Sequence, residues 1–196
     1  MLHTLLSLPD RALSWTEGFS KPVLTTLARF VFATVLLVYY LNSGLLKLGE
    51  GLSGLVQPSI GAYGSILPKP MEAVGFDVSQ LAWHYHAIVL LGTWAELLLP
   101  ILIVIGLFTR AAALGMIGFV TVQSLTDLYG HGGIAHIETL GAWFDNQPSG
   151  VVLDQRAFWV FMLLYLVFRG GGPLSADRLL KSVTSARQVA LRPEQG

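Results

Sequence analysis

Apolar residues are concentrated in four long segments, at about residues 23–47, 83–108, 110–129 and 153–168. As helices, the first three are each about long enough to cross a hydrocarbon core of roughly 30 Å. The second and third segments meet at a very short turn at residues 106–110, which makes them antiparallel neighbours. The pattern predicts an all-α fold, a bundle of four transmembrane helices with short amphipathic helices at the termini.

The connections divide the chain into an N-terminal interfacial segment (1–22), a membrane domain (23–169) and a basic tail (170–196). The N-terminal segment lacks the order of a cleavable signal peptide, and either a surface-lying amphipathic helix or a frayed terminus fits it. The connection after the first helix holds Pro58, Pro68 and Pro70, which exclude a spanning helix. Two alternatives remain for this connection: a loop half inserted into the membrane interface, or a short helix that caps the bundle.

Composition restricts the class of protein. Among 196 residues, 53% are hydrophobic and only 12% are charged, and the mean hydropathy is +0.62. This is too apolar for an ordinary soluble domain and indicates a small polytopic membrane protein. The formal net charge of zero gives no reason to expect a nucleic-acid partner. Because cysteine is absent, any redox role must use a bound cofactor or a partner protein.

The distribution of basic residues predicts the topology. Both ends of the chain and the turn at Arg110 carry an excess of Lys and Arg, which the positive-inside bias places in the cytoplasm. Three basic residues fall on the other side (Lys47, Lys69, Arg156) against nine on the cytoplasmic side (Arg11, Lys21, Arg29, Arg110, Arg169, Arg178, Lys181, Arg187, Arg192). We expect a multi-pass inner-membrane protein with both termini cytoplasmic, in which Arg29 and Lys47 extend towards headgroups. Arg156 should lie at the outer interface or face inward.

Glu96 is the first candidate for a catalytic residue. It lies about halfway along the second helix, where inserting a charge costs at least ~2.5 kcal/mol, so it should face the protein interior. It is either a functional acid or a structural acid paired with a donor from another helix. Pro100 frees the carbonyl of Glu96, which predicts a kink or a local hydrogen-bond acceptor. Thr93 lies one turn before Glu96.

Polar residues at helical spacing predict a ligand-binding face inside the bundle. Tyr40, Ser43 and Lys47 share one face of the first helix. The alternative is that Tyr40 belongs to an interfacial aromatic belt and Lys47 only ends the helix. On the third helix, Asp127 lies near the outer end beside other polar residues, whereas small residues from Ala111 to Gly118 are explained by helix packing.

Histidines gather at the same outer end. His86 and His131 could converge with Asp127 if the second and third helices pair, and such a set could bind a divalent metal or, through the two histidines, a haem. His84 and His86 are about 200° apart on a helix, so they cannot share one metal there. The alternative is that the histidines are interfacial residues solvated by water and headgroups.

Several of these motifs resemble the DoxX family of four-helix membrane proteins, which includes small subunits associated with terminal quinol oxidases and thiosulfate:quinone oxidoreductases. The resemblance spans roughly residues 25–170. It rests on Arg29 leading a first helix that ends in NSGLLKL, and on AELLLPILIVIGLFTR, in which Glu96, Gly106, Thr109 and Arg110 match the family pattern. It implies that Asn42 belongs to the ligand-binding set. The histidine pairs and the acidic loop after the third helix depart from the pattern.

Two functional hypotheses follow. In the first, the protein is a redox-associated accessory subunit in which Glu96 exchanges a proton and polar groups such as Tyr40 and Lys47 bind a quinone inside the bundle. In the second, it is a non-catalytic assembly or metal-stress component whose outer His and acidic groups meet a periplasmic partner or metal. As the bound cofactor, a quinone is favoured over a metal or haem. A role as a transporter is less favoured than either hypothesis. A homo-oligomer is possible.

Overall fold

The computed structural model describes residues 19–190, with side-chain surroundings for residues 19–184; the prediction for residues 1–18 lies outside this range. The described chain is helical and has no strand. Its helices are, in order, α1 (Phe19–Lys47), α2 (Ile60–Ile66), α3 (Pro68–Ala73), α4 (Trp83–Ile105), α5 (Thr109–Gly130), α6 (Ile137–Leu140), α7 (Val151–Arg169) and α8 (Ala176–Ala190).

Four of these helices, α1, α4, α5 and α7, are long and apolar enough to cross a membrane. The predicted all-α bundle with four spans is confirmed, and the basic tail forms a terminal helix, α8. Helix α4 runs without interruption through Pro100, which is buried. Many large apolar side chains on the spans are exposed, as in helices that face lipid.

The spans pack around one apolar core. α5 lies between α4 and α7, and α1 packs on α4. The core combines Phe32, Leu36 and Tyr40 of α1 with apolar residues from each of the other three spans. The Tyr40 ring makes edge contacts with Phe119 of α5 and Trp159 of α7, with ring centroids 5.9 and 6.4 Å apart. Tyr40 therefore faces inward, as the helical spacing predicts.

The proline-rich connection forms a cap over one end of the bundle. Of the two alternatives for this segment, the capping helix is correct, and it consists of two short helices, α2 and α3. They pack on α4 through a second apolar cluster that includes Tyr63, Met71 and Val89. Ser59 joins this cap to the end of α1, since its backbone N–H donates to the carbonyl of Lys47 at 2.9 Å.

The predicted antiparallel turn between α4 and α5 is confirmed, and its geometry follows from Gly106. The backbone φ of Gly106 is +72°, a left-handed conformation that favours glycine. The N–H of Gly106 bonds the carbonyl of Ile103, and the N–H of Leu107 bonds that of Leu102. These two bonds form a Schellman motif, which ends α4 and turns the chain back.

Arg29 is buried, and its predicted extension towards headgroups is wrong. It is only 8% exposed, and its guanidinium donates to the carbonyls of Ile103 and Val104 at the end of α4 and to those of Gly171 and Leu174 after α7. The last carbonyls of a helix lack partners within that helix and carry partial negative charge. Arg29 satisfies these carbonyls and joins three parts of the chain.

Asp177, at the start of α8, caps the other side of the same turn. Its carboxylate accepts hydrogen bonds from the backbone N–H groups of Phe108 (2.7 Å) and Thr109 (3.0 Å) and from the Thr109 hydroxyl (2.8 Å). Burial raises the pKa of Asp177, but the hydrogen bonds from Thr109 and Phe108 outweigh burial, so the pKa lies below its usual value. Asp177 thereby fixes α8 against the start of α5.

We expect Arg29→Met to lower the free energy of unfolding by at least about 3 kcal/mol, because hydrogen bonds from a charged group contribute about 1.5–3 kcal/mol each. Titration with sodium dodecyl sulfate in mixed micelles, followed by circular dichroism, measures the change. Lys69→Met is the control, because Lys69 is exposed and the change should stay within about 0.5 kcal/mol. Equal stability of the two variants would show that Arg29 does not hold the turn.

Candidate functional site

A cavity of about 420 Å³ lies between α1, α4 and α5, beneath the cap formed by α2. Its polar lining includes Ser43 and Lys47 of α1, Glu96 of α4, and Gln123 and Asp127 of α5. Apolar side chains such as Ile88, Leu91, Phe119 and Val122 form much of the remaining wall. An apolar pocket with a few convergent polar groups is the usual form of a small-molecule site.

An ion pair between Lys47 and Glu96 is the central polar feature of this cavity. Lys47 Nζ lies 2.6 Å from Glu96 Oε2 and also donates to Ser43 Oγ at 2.6 Å. Glu96 is 2% exposed, which confirms that it faces the interior, and its partner comes from another helix. Lys47 is directed into the bundle and not towards headgroups.

Close approach of α1 to α4 makes this ion pair possible. A Cβ atom at Gly44 would lie 2.7 Å from two side-chain atoms of Leu97, so only glycine fits without a shift. Gly44 is one residue from Ser43 and three from Lys47, and the short distance between the helices brings the ammonium group within reach of Glu96. The sequence motif NSGLLKL therefore has a steric role that helical periodicity did not reveal.

Small residues on α4 and α5 leave the cavity open. Gly92, Ala95, Gly115 and Gly118 all line it. A Cβ atom at Gly115 would lie 3.2 Å from the side chain of Leu99, so helix packing does explain this glycine. No atom lies within 4 Å of the corresponding position at Gly118. Packing therefore does not explain Gly118, which is exposed and lies at the open side of the cavity.

A second ion pair joins Asp127 to Arg156. Arg156 Nη2 lies 2.6 Å from Asp127 Oδ2, and Nη1 donates to Ser124 Oγ at 3.0 Å. Both partners lie on wide π-helical turns, Thr126–Gly130 at the end of α5 and Val151–Arg156 at the start of α7. Arg156 is only 4% exposed, so of its two predicted placements the inward one is correct. Such turns occur often at functional sites.

The predicted ligand-binding residues divide into two groups. Lys47 and Asp127 line the cavity, whereas Tyr40, Asn42 and Thr93 do not. The Tyr40 ring belongs to the core, and its hydroxyl lies 3.4 Å from Gln123 Oε1. The Thr93 hydroxyl donates to the carbonyl of Val89 in its own helix at 2.8 Å. Asn42 is exposed.

The predicted convergence of His86, His131 and Asp127 is wrong. His86 Nδ1 lies 2.8 Å from the Tyr63 hydroxyl, beside a separate depression next to α2. Burial raises the pKa of Tyr63, so this hydroxyl stays protonated and can donate to His86. His131 lines the central cavity, and its Nε2 lies 3.1 Å from the carbonyl of Ser65. Residues 19–184 contain no group of three or more His, Asp or Glu residues suited to a metal ion.

The cavity therefore combines an ammonium group, two carboxylates, an amide and the imidazole of His131 with an apolar wall. This arrangement can donate hydrogen bonds to a carbonyl oxygen and can accept a proton. No protein-family model, no curated protein and no solved structure matches this chain.

We expect a double-mutant cycle to show strong coupling between Lys47 and Glu96. Lys47→Met or Glu96→Gln alone leaves the other charge buried without its partner, and breaking a buried pair costs about 3–5 kcal/mol. The double variant Lys47→Met/Glu96→Gln should recover most of the lost unfolding free energy, measured by the same detergent titration. Lys69→Met, at an exposed cation on α3, is the control. Additive effects of the two substitutions would contradict a coupled pair.

Proposed function

We propose that this chain is a DoxX-like integral membrane protein that binds a quinone or quinol in the cavity between α1, α4 and α5 and acts as a redox-associated accessory subunit. The observation that carries the proposal is a buried ion pair, Lys47–Glu96, on the wall of an otherwise largely apolar cavity within the membrane spans. The cavity volume of about 420 Å³ lies within the usual range for small-molecule sites, about 300–1,000 Å³.

The position of the cavity mouth supports a lipid-soluble ligand. Leu91 of α4 and Val122 of α5 both line the cavity, yet they are 69% and 59% exposed. The cavity therefore opens sideways between the two helices, onto surfaces that face lipid in a membrane. A quinone can enter from the bilayer by this route and leave its apolar tail among the lipid chains.

The polar groups suit the quinone headgroup. The Lys47 ammonium has three N–H donors, of which Ser43 and Glu96 use two, so the third can donate to a quinone carbonyl. Glu96 is positioned to accept a proton from a quinol hydroxyl. Quinol oxidation also releases a second proton, which the His131 imidazole on the same cavity wall can accept, and two electrons, which these acid–base side chains do not carry. The electrons must pass to a redox partner, and the chain is therefore proposed as an accessory subunit.

We expect Gly118→Leu to abolish quinone binding without loss of stability, because the new side chain would occupy the open part of the cavity. The test is titration of the detergent-purified protein with a short-chain water-soluble quinone, together with extraction and chromatography of co-purified quinone. Gly64→Leu is the matched control, since a Cβ atom at this α2 glycine also meets no atom within 4 Å but Gly64 does not line the cavity.

Glu96→Gln should separate binding from proton transfer. This variant keeps the size of the side chain but cannot accept a proton as a carboxylate does, so quinone should still bind while coupled redox activity falls by about 10²–10⁴-fold. Absence of quinone from the wild-type protein, with no binding of the short-chain analogue, would refute the proposed function. Equal binding by wild type and Gly118→Leu would place the ligand elsewhere.

We also propose an inner-membrane location with both termini in the cytoplasm. Three basic residues are assigned to the outer side. Lys47 and Arg156 are directed into the bundle by ion pairs, so Lys69 is the one exposed cation on that side. Five described cations, from Lys21 to Lys181, line depressions at the opposite end of the bundle. This asymmetry supports the orientation.

Single-cysteine labelling tests the topology directly, because the chain has no native cysteine. We expect a membrane-impermeant maleimide added to intact spheroplasts to label Lys69→Cys but not Arg178→Cys, with both labelled after the membrane is permeabilised. Both positions are exposed, so differences in burial should not obscure the result. The reverse labelling pattern would invert the orientation.

A further inference from the structure

A basic depression lies at the end of the bundle opposite the cap formed by α2 and α3. A cavity of about 560 Å³, located where α8 follows α7, is lined by Arg110, Arg169, Arg178 and Lys181. A neighbouring cavity of about 340 Å³ shares the three arginines and adds Lys21. The two cavities together define a basic site with five cations from four helices.

The positive charge of this site is largely uncompensated. Asp177 is the one acid among its lining residues, and it interacts electrostatically with Lys181, so its single charge leaves most of the five positive charges without an acidic partner. Neither of the two side-chain ion pairs among residues 19–184 includes a cation of the basic site. The site therefore has charge available for an anionic ligand, and arginine is well suited to phosphate.

An apolar groove continues from the basic site. It has a volume of about 460 Å³ and is lined by Val23, Leu27 and Phe30 of α1, by Leu174, and by Pro22 and Pro173, both of which also line the smaller basic cavity. Thr26 also borders the groove, but its hydroxyl already donates to the carbonyl of Pro22 at 2.9 Å. The groove therefore offers an apolar surface directly beside the cations.

We propose that this composite site binds an anionic phospholipid of the adjoining leaflet. The phosphate lies among Arg110, Arg169 and Arg178, and an acyl chain lies along Leu27 and Phe30. A free phosphate would use only the basic site, whereas a phospholipid uses both the cations and the groove that adjoins them. Basic pockets between spanning helices are a known form of lipid headgroup site.

Such a lipid would connect the beginning of α1 to the end of α7 and to the starts of α5 and α8. Hydrogen bonds already join α1 to the segment after α7 through Arg29, and α8 to the start of α5 through Asp177. A ligand that binds only the folded state stabilises it by mass action. The lipid should therefore raise the melting temperature of the whole bundle.

The test compares two lipids with identical acyl chains on the delipidated full-length protein in a neutral detergent. We expect 1-palmitoyl-2-oleoyl phosphatidylglycerol to raise the melting temperature and to remain bound in native mass spectrometry. Phosphatidylcholine with the same acyl chains should raise the melting temperature less and remain bound less. Inorganic phosphate alone should change the melting temperature little. Arg178→Gln/Lys181→Gln should weaken phosphatidylglycerol binding about 25-fold, from about fivefold for each cation removed.

Two further variants distinguish the contribution of the lipid headgroup from that of the acyl chain. Leu27→Ser places a hydroxyl in the groove and should weaken phosphatidylglycerol binding while all five cations remain, whereas Lys69→Gln, at the other end of the bundle, should leave it unchanged. Equal binding of the two lipids, or wild-type affinity in Arg178→Gln/Lys181→Gln, would overturn the proposal. A shift with inorganic phosphate as large as that with phosphatidylglycerol, or no effect of Leu27→Ser, would reduce the site to one for a free anion and also overturn it.

Discussion

The need to satisfy buried polar groups from within the protein shapes this bundle more than any single apolar contact. The first N–H groups and the last carbonyls of a helix have no partner within that helix, so where they are shielded from water they need partners from elsewhere in the chain. Arg29 satisfies carbonyls at the end of α4, and Asp177 satisfies N–H groups at the start of α5. Both partners come from distant segments. The same bonds that complete the helix termini therefore determine which segments lie side by side.

The bundle has two unlike sides as a result. On the side of α7, aromatic and aliphatic residues such as Tyr40 and Trp159 fill the interior. On the other side, α1, α4 and α5 enclose a cavity in which Gly118 borders open space and Lys47 pairs with Glu96. Since α1 contributes to both sides, a ligand in the cavity would rest against a helix held by the apolar core.

The four spans and the short turn could be predicted because they depend on local hydrophobicity and on Gly106, whose conformational freedom is independent of distant contacts. The inward direction of Glu96 was also predictable, because a charge in lipid is costly. The role of Arg29 could not be predicted, since the backbone carbonyls that accept its hydrogen bonds lie more than 70 residues away in the chain. The prediction that His86 and Asp127 converge was wrong because it assumed ideal helical periodicity. Asp127 lies on a π-helical turn, and His86 is hydrogen-bonded to Tyr63 of the cap helix α2.

The energetics of the Lys47–Glu96 pair also bear on its purpose. A buried ion pair is weak evidence for stability, because desolvation of both charges offsets most of their attraction, and well-packed apolar residues often serve as well or better. Stability alone therefore gives little reason to hold these two charges inside the bundle. Their location on a cavity wall, with one ammonium N–H left over from the bonds to Ser43 and Glu96, provides such a reason. In the core beside Trp159 the same pair would face only packed side chains, whereas at the cavity both charges face the space that the proposed quinone would occupy.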